Sequence, residues 1–186
     1  EDIDALMPYP GEMGCFELIE CSVDKLSTFV YKYAHYSVPD DLVGQKVLVK
    51  VYSEKMVAYN NDHKKVAEHE RSYIKNDWKV DINHYINTLL RKPGALPGST
   101  ALMQMPQRMQ DLFRIHFRGS ERDFLLLLKF AKEEGYSYDD ITEAAAVVRR
   151  RGAKRLSLDQ LKVALQVSRS KEIISPEATN TDEYLE

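Results

Sequence analysis

The chain has 186 residues and a mass of 21.5 kDa, enough for one domain or two small ones with a true core. Apolar residues at 44% and charged residues at 30% exclude a fibrous or wholly disordered protein. No apolar run approaches the roughly 18 residues a membrane span needs, and Glu1-Asp2-Ile3-Asp4 lacks the basic start of a secretory signal. The formal charge of -3 hides an asymmetry. Residues 1–14 hold four acids and no bases, residues 172–186 hold five acids and no bases, and the body between them is +6. Residues 15–75 balance at nine against nine, whereas 76–120 carry six bases to three acids and 121–171 carry eleven to eight. Such a body tolerates a phosphate-bearing partner without requiring one.

In chain order, residues 1–13 read as a linker, and an acidic start just ahead of a strand-like segment is expected of a piece of a longer protein. From 14 to 73 period-2 alternation dominates, in short runs that include Phe16, Leu18, Val23, Phe29, Val30 and Tyr31. The clearest strand is Gln45 to Tyr52, with Val47, Val49 and Val51 on one face and Lys46, Lys50 and Tyr52 on the other. Ser53-Glu54 turns it into Lys55 to Tyr59, and Asn60-Asn61-Asp62-His63 turns that into Lys64 to His69, giving an antiparallel meander. With the strands before Pro39, about five strands fit a small, closed or half-closed barrel. Cys15 and Cys21, the two cysteines, are set apart by roughly 20 Å if they share one strand, so they are expected to be reduced thiols in a cytoplasmic protein.

Residues 74–82 are expected to form an extended linker in which Trp78 packs, and residues 83–171 a helical domain. The helices predicted are Ile82 to Arg91, stopped by Lys92-Pro93-Gly94; Pro106 to Phe117; Glu121 to Glu134, capped by Ser120 and ended by Gly135; Asp139 to Arg151, with Ser137 and Asp140 as a capping box; and Leu158 to Val167, with Ser157 and Gln160 in the same role. Residues 172–186 read as a disordered acidic tail. The fold class expected is α+β, a small antiparallel SH3-like β-barrel followed by a helical C-terminal region.

Five bases within Arg149-Arg150-Arg151-Gly152-Ala153-Lys154-Arg155 surround a helix end. There they complement the helix dipole, or alternatively meet a phosphate or acidic partner. Lys46 and Lys50 on the wet strand face, near Lys32, Lys55, Lys64 and Lys65, are placed to track a nucleic-acid backbone. Eleven tyrosines, clustered at Tyr31, Tyr33 and Tyr36 and again at Tyr52 and Tyr59, suit both barrel walls and nucleic-acid surfaces. The histidines at 35, 63, 69, 84 and 116 do not fall at a HExxH spacing, and no GxxxxGK[ST], GxGxxG or GxSxG occurs. Catalytic residues, metal ligands and cofactors are therefore expected to be absent from this fragment.

Tyr36-Ser37-Val38-Pro39, Leu42-Val43-Gly44-Gln45-Lys46-Val47, Val66-Ala67-Glu68-His69-Glu70-Arg71, and the run from His84-Tyr85 through Leu89-Leu90-Arg91-Lys92-Pro93-Gly94-Ala95-Leu96 occur in an order with a family counterpart. The series resembles the C-terminal part of IstA-type transposases of bacterial insertion sequences, relatives of the integrase and phage Mu transposase superfamily, over residues 34 to 165. The resemblance implies a DDE-type parent enzyme, whose RNase H-like core would hold Mg2+ or Mn2+ on three acids outside this stretch. For this stretch it implies a non-catalytic module that positions transposon-end DNA during transposition and integration. Phosphate contacts are expected from His69, Arg71, Arg91 and Lys92, with Lys46, Lys50, Arg149, Arg150 and Arg151 as further candidates. The full transposase would act as an oligomer. A second reading makes this a protein-interaction module, in which Ile173, Ile174, Tyr184 and Leu185 in the acidic tail dock an AAA+ ATPase of the IstB type.

Overall fold

The computed structural model describes residues 15–174, excluding the side chains of 171–174, and divides the chain into a unit ending at Tyr85 and a second beginning at Ile86. Among its described residues the first unit holds seven strands: β1 Glu17–Ser22, β2 Thr28–Tyr31, β3 Ala34–Ser37, β4 Lys46–Val51, β5 Lys55–Tyr59, β6 Lys65–Glu70 and β7 Trp78–Lys79. Four of them form an antiparallel sheet in the order β1-β4-β5-β6, and three form a second sheet in the order β2-β3-β7. Both sheets feed one core of Phe29, Tyr31, Ala34, Tyr36, Val47, Val49, Val51, Met56, Ala58 and Ala67. The strands thus wrap a shared interior as two hydrogen-bonded ladders, without a continuous closed one.

Alternation in β4 is realised in full. Val47, Val49 and Val51 are buried, Lys46 is exposed, and Lys50 is half-buried on the outer face. A one-residue slip would send both lysines into the core, so the pleat fixes the register, Val49 opposite Ile19 of β1 and Ala58 of β5. The predicted turn at Asn60–His63 is held by the Asn60 side-chain oxygen, which accepts from the backbone N–H of Asp62 and of Lys64, and His63 takes a positive φ of 58°.

The segment 74–82 is more structured than a linker. Trp78–Lys79 adds to β3 as a parallel strand, and the Trp78 ring stacks on His35 at 4.0 Å and 3°. A single turn of 3-10 helix over Ile82–His84 follows, its start capped by the Asp81 carboxylate accepting from Asn83 N–H. The first unit therefore extends past the expected boundary at residue 73, because a two-residue strand is too short to show a period in sequence.

In the second unit the helices are α1 Ile86–Arg91, α2 Thr100–Met103, α3 Gln107–Leu112, α4 Glu121–Glu134, α5 Tyr138–Arg150 and α6 Leu158–Ile174. A 3-10 segment covers Pro93–Gly98, and a π-helical turn, Phe113–Phe117, continues α3. The π turn shifts the register so that Phe113, His116 and Phe117 face inward and Ile115 outward, and Phe124 of α4 packs against Phe113 at 5.1 Å and Phe117 at 5.5 Å. Gly135 ends α4 with φ 76°, and the Ser137–Asp140 capping box opens α5. Ser120 makes no side-chain cap; the Glu121 carboxylate turns back to accept from Gly119 N–H instead. Helix α6 runs beyond Val167 into the stretch expected to be tail. The hydroxyls of Ser168 and Ser170 bond to the carbonyls of Ala164 and Gln166, and no glycine or proline intervenes before Pro176. The expected linker 1–13 and the tail residues Tyr184 and Leu185 lie outside the described residues. Among those described, no helix is long and apolar enough to cross a membrane.

The burial pattern makes a direct prediction. Val49→Asp, at a position with 0% exposure, places an unpaired carboxylate among Val47, Val51 and Met56 and is expected to cost more than about 4 kcal/mol. Leu18→Asp, on the outer face beside Lys50 and 57% exposed, is expected to stay within about 0.5 kcal/mol of the parent in urea denaturation.

Candidate nucleic-acid interface

The outer face of the β1-β4-β5-β6 sheet carries the lysines expected to track a backbone, but most are already matched. Lys46 pairs with Glu20 at 2.9 Å, and Glu68 receives both Lys55 at 3.4 Å and Lys65. Hydrogen bonding from Lys65, then from Lys55, holds the Glu68 carboxyl below its usual range. Lys50 sits between two rings, its ammonium 4.8 Å from the centre of Phe16 and 5.2 Å from that of Tyr59. These exposed pairs are each worth about 0–1 kcal/mol, and they leave the face close to neutral for an incoming phosphate.

His69, placed by the sequence among the DNA contacts, turns inward. Its Nε2–H donates to the Ser37 carbonyl at 2.6 Å, and its ring meets His84 edge-on at 5.6 Å and Tyr36 at 5.9 Å. The Ser37 hydroxyl, fully buried, shares a 2.7 Å hydrogen bond with His84 Nδ1 and accepts from Asp81 N–H at 2.9 Å. Tyr36, also fully buried, accepts from Ser72 N–H at 2.9 Å through its hydroxyl. Tyr85 donates to the Leu26 carbonyl at 2.8 Å, and burial, with Asp24 and Asp40 adding to it, pushes its hydroxyl up to about 12. Tyr36-Ser37, His69 and His84, far apart in sequence, thus converge on one polar knot inside the first unit.

Arg71 emerges from that knot on the other side. Its Nη1 donates to the Tyr52 carbonyl at 2.9 Å, and its guanidinium lies 5.4 Å from the Tyr31 ring centre and 4.8 Å from that of Tyr73. Lys32 caps Tyr31 at 5.4 Å, and Lys75 caps Tyr33 at 5.6 Å. The hairpin turn Lys32-Tyr33 joins β2 to β3, and Asn76 N–H donates to the Tyr33 carbonyl at 2.9 Å, which ties the 72–77 loop to that turn. Three cations and three tyrosine rings therefore gather at one tip of the unit. Neither Lys32, Arg71 nor Lys75 forms a salt bridge with a described residue. The nearby acids are engaged: Glu17 accepts from the Tyr31 hydroxyl at 2.9 Å, and Asp77 accepts from the Ser72 hydroxyl at 2.6 Å and from Trp78 N–H at 2.8 Å. Arg71 and Tyr73 also line a groove of about 610 Å³ with Glu54, Lys55, Glu68 and Glu70, and the Tyr73 hydroxyl donates to the Ser53 carbonyl at 2.6 Å at its edge, so that side of Arg71 faces acids rather than open cationic surface.

Arg91 and Lys92 belong to the second unit, exposed where α1 gives way to the 3-10 segment. Arg149, Arg150 and Arg151 are exposed at the end of α5, as the sequence placed them. Arg155 has an internal task, since its guanidinium donates to the carbonyls of His116 and Arg118 at 3.2 and 3.3 Å and closes the π turn. Ile173 and Ile174 fall in the last turn of α6. Of the residues at this tip, the sequence singled out Arg71 and did not group it with Lys32, Tyr33, Tyr73 and Lys75; the tyrosine cluster at 31, 33 and 36 was the available signal. Among the described residues, no group of three His, Cys, Asp or Glu side chains could hold a metal ion, and Cys15 and Cys21 are free thiols.

Burial lowers the affinity of His69 for a proton, outweighing the Ser37 carbonyl and Asp81. The unfolded chain, with an ordinary value of 6.5, takes up that proton first as pH falls. The His69 contribution to stability is thus complete above pH 6.5 and is lost as pH drops below it toward the depressed folded value. His69→Gln keeps an N–H donor for the Ser37 carbonyl but does not titrate. Denaturation midpoints between pH 8 and 5 are expected to fall less steeply for this variant than for the parent.

Residues 8–81 match the family described as the Mu transposase C-terminal domain. Two proteins named as transposases for insertion sequences IS1326/IS1353, from Pseudomonas aeruginosa and Shigella flexneri, are each 29% identical over 131 residues, covering 66% of this chain. The chain spans about a quarter of the length of these curated relatives. No solved structure matches.

Proposed function

Starting from a chain whose matches support the C-terminal region of an insertion-sequence transposase, with a role in transposition, we propose that the first unit is a non-catalytic module that positions DNA. The observation that carries this reading is the tip, where Lys32, Arg71 and Lys75 present positive charge with no carboxylate paired to it. Phosphate contacts of this kind fix the register and orientation of a duplex without reading its bases. Strand cleavage and joining, with the Mg2+ or Mn2+ they need, belong in this reading to a DDE-type catalytic core elsewhere in the parent protein, which would act as an oligomer on transposon-end DNA. Arg91, Lys92 and the arginines at 149–151 are secondary candidates from the helical unit.

A second reading has its own observation. Between α5 and α6 lies a groove of about 660 Å³ lined by Val147, Val163 and Val167, with Arg151 and Asp159 beside them. A mainly apolar groove suits an apolar protein segment, which supports docking of a partner such as an AAA+ ATPase of the IstB type.

Three phosphate contacts give a salt slope of about -2.7, so affinity for a duplex is expected to fall about 40-fold between 50 and 200 mM salt. Fluorescence anisotropy with a labelled duplex measures this. Lys75→Ala, at an exposed position, is expected to lower the slope by about one, and Arg71→Ala to do the same, whereas Lys46→Ala leaves it unchanged. Binding that ignores ionic strength, or equal losses from Lys46→Ala and Lys75→Ala, would overturn the assignment of the tip.

A further inference from the structure

The hairpin turn at the tip is built from unsuitable residues. Lys32 and Tyr33 both take positive φ, 43° and 72°, as the two central residues of a type I′ turn do. Asparagine and glycine meet that demand readily, whereas lysine and tyrosine hold it at a cost of about 1–3 kcal/mol each. Asn76, at the facing end of the 72–77 loop, has φ 60°, so three of the five non-glycine residues with positive φ among the described residues lie at this one tip. Tyr33, at the apex of this turn, is 68% exposed. Tyr73 is 75% exposed and Ile74 71%. Lys75 rests over Tyr33 and Arg71 over Tyr73, which steadies each ring while leaving most of it open.

Two tyrosines and an isoleucine thus stand in water beside the cations. Exposed rings that carry a cation over the ring match a nucleic-acid strand whose bases are unstacked: the cations meet phosphates and the rings meet bases. Sequence preference is not required, since every base has a π-face. The buried Tyr36–Ser72 and Asn76–Tyr33 hydrogen bonds fix the spacing of hairpin and loop in advance, so little conformational entropy is lost when a strand arrives.

We infer that Tyr33 and Tyr73 form a stacking platform for unpaired DNA bases, so that the tip prefers single-stranded or locally opened DNA over a fully paired duplex. This inference rests on the DNA-positioning reading above and adds a substrate form to it.

The test compares three labelled probes at one salt concentration with the 186-residue chain: a single-stranded 20-mer, its matched duplex, and the same duplex with a central unpaired bubble. The bubble and the single strand are expected to bind at least about 10-fold tighter than the duplex. Tyr33→Gly relaxes the turn, so thermal stability is expected to be retained or raised while affinity for the bubble falls about 5- to 100-fold, toward that of the duplex. Tyr33→Phe keeps the ring and is expected to keep the preference, and Tyr73→Ala to lose it as Tyr33→Gly does. Equal affinity for all three probes, or a preference that survives Tyr33→Gly, overturns the stacking platform while leaving duplex positioning intact. Absence of binding to every probe overturns both.

Discussion

The hydrogen bonds around Tyr36 and Ser37 organise the first unit. Both residues sit at the end of β3, both are fully buried, and between them they engage Ser72, His69, Asp81 and His84. Burying that many polar groups is tolerable only because each has a partner; an orphaned donor or acceptor in such a site costs about 1–3 kcal/mol. The outcome is that β6, the 72–77 loop, β7 and the 3-10 turn at Ile82–His84 are all secured to one strand. The valine core closes the sheets, but the knot decides where the chain goes after β6.

That placement explains why charge behaves differently on two surfaces of the same unit. On the sheet face, cross-strand neighbours in an antiparallel ladder bring Lys46 to Glu20 and Lys55 to Glu68, and Lys65 reaches the same Glu68 from within β6, so the lysines compensate acids that the strands themselves supply. At the tip, the loop and hairpin meet without a ladder. Arg71, Lys32 and Lys75 find tyrosine rings there and make no ion pair with a described residue, while Glu17 and Asp77 are hydrogen-bonded to other donors and Glu54 and Glu70 share a groove with Arg71. An overall charge of -3 is thus compatible with a local cationic surface.

Much of the α+β plan was legible in the sequence because period-2 alternation in β4, the Gly135 end of α4 and the capping box of α5 are strong local signals. The hydrophobic pattern put Val47, Val49 and Val51 inside, and Gly135 ended α4 as its left-handed preference requires. What was not legible is of two kinds. Strand β7 has two residues, Lys32-Tyr33 is a turn without turn residues, and the π turn at Phe113–Phe117 breaks the helical period it follows, so local propensity is silent or misleading at all three. The site is non-local: His69 and Arg71 are two residues apart and on one strand face the pleat would treat them alike, yet His69 closes onto Ser37 while Arg71, just past the end of β6, reaches Tyr52 and Tyr73. Only tertiary contacts separate the residue that builds from the residue that presents.

Tyr36, Ser37, His69 and His84 hold the unit together, and in the proposed function DNA meets the tip they keep in place. This is checked most directly by backbone and side-chain chemical-shift mapping by NMR, with a short DNA probe added stepwise to the chain. Lys32, Tyr33, Arg71, Tyr73, Ile74 and Lys75 are expected to shift first and furthest, with Lys46, Lys55 and Lys65 on the sheet face little changed. Perturbations centred on that sheet face, or confined to Arg149–Arg151 with a silent tip, would place DNA elsewhere and refute the assignment.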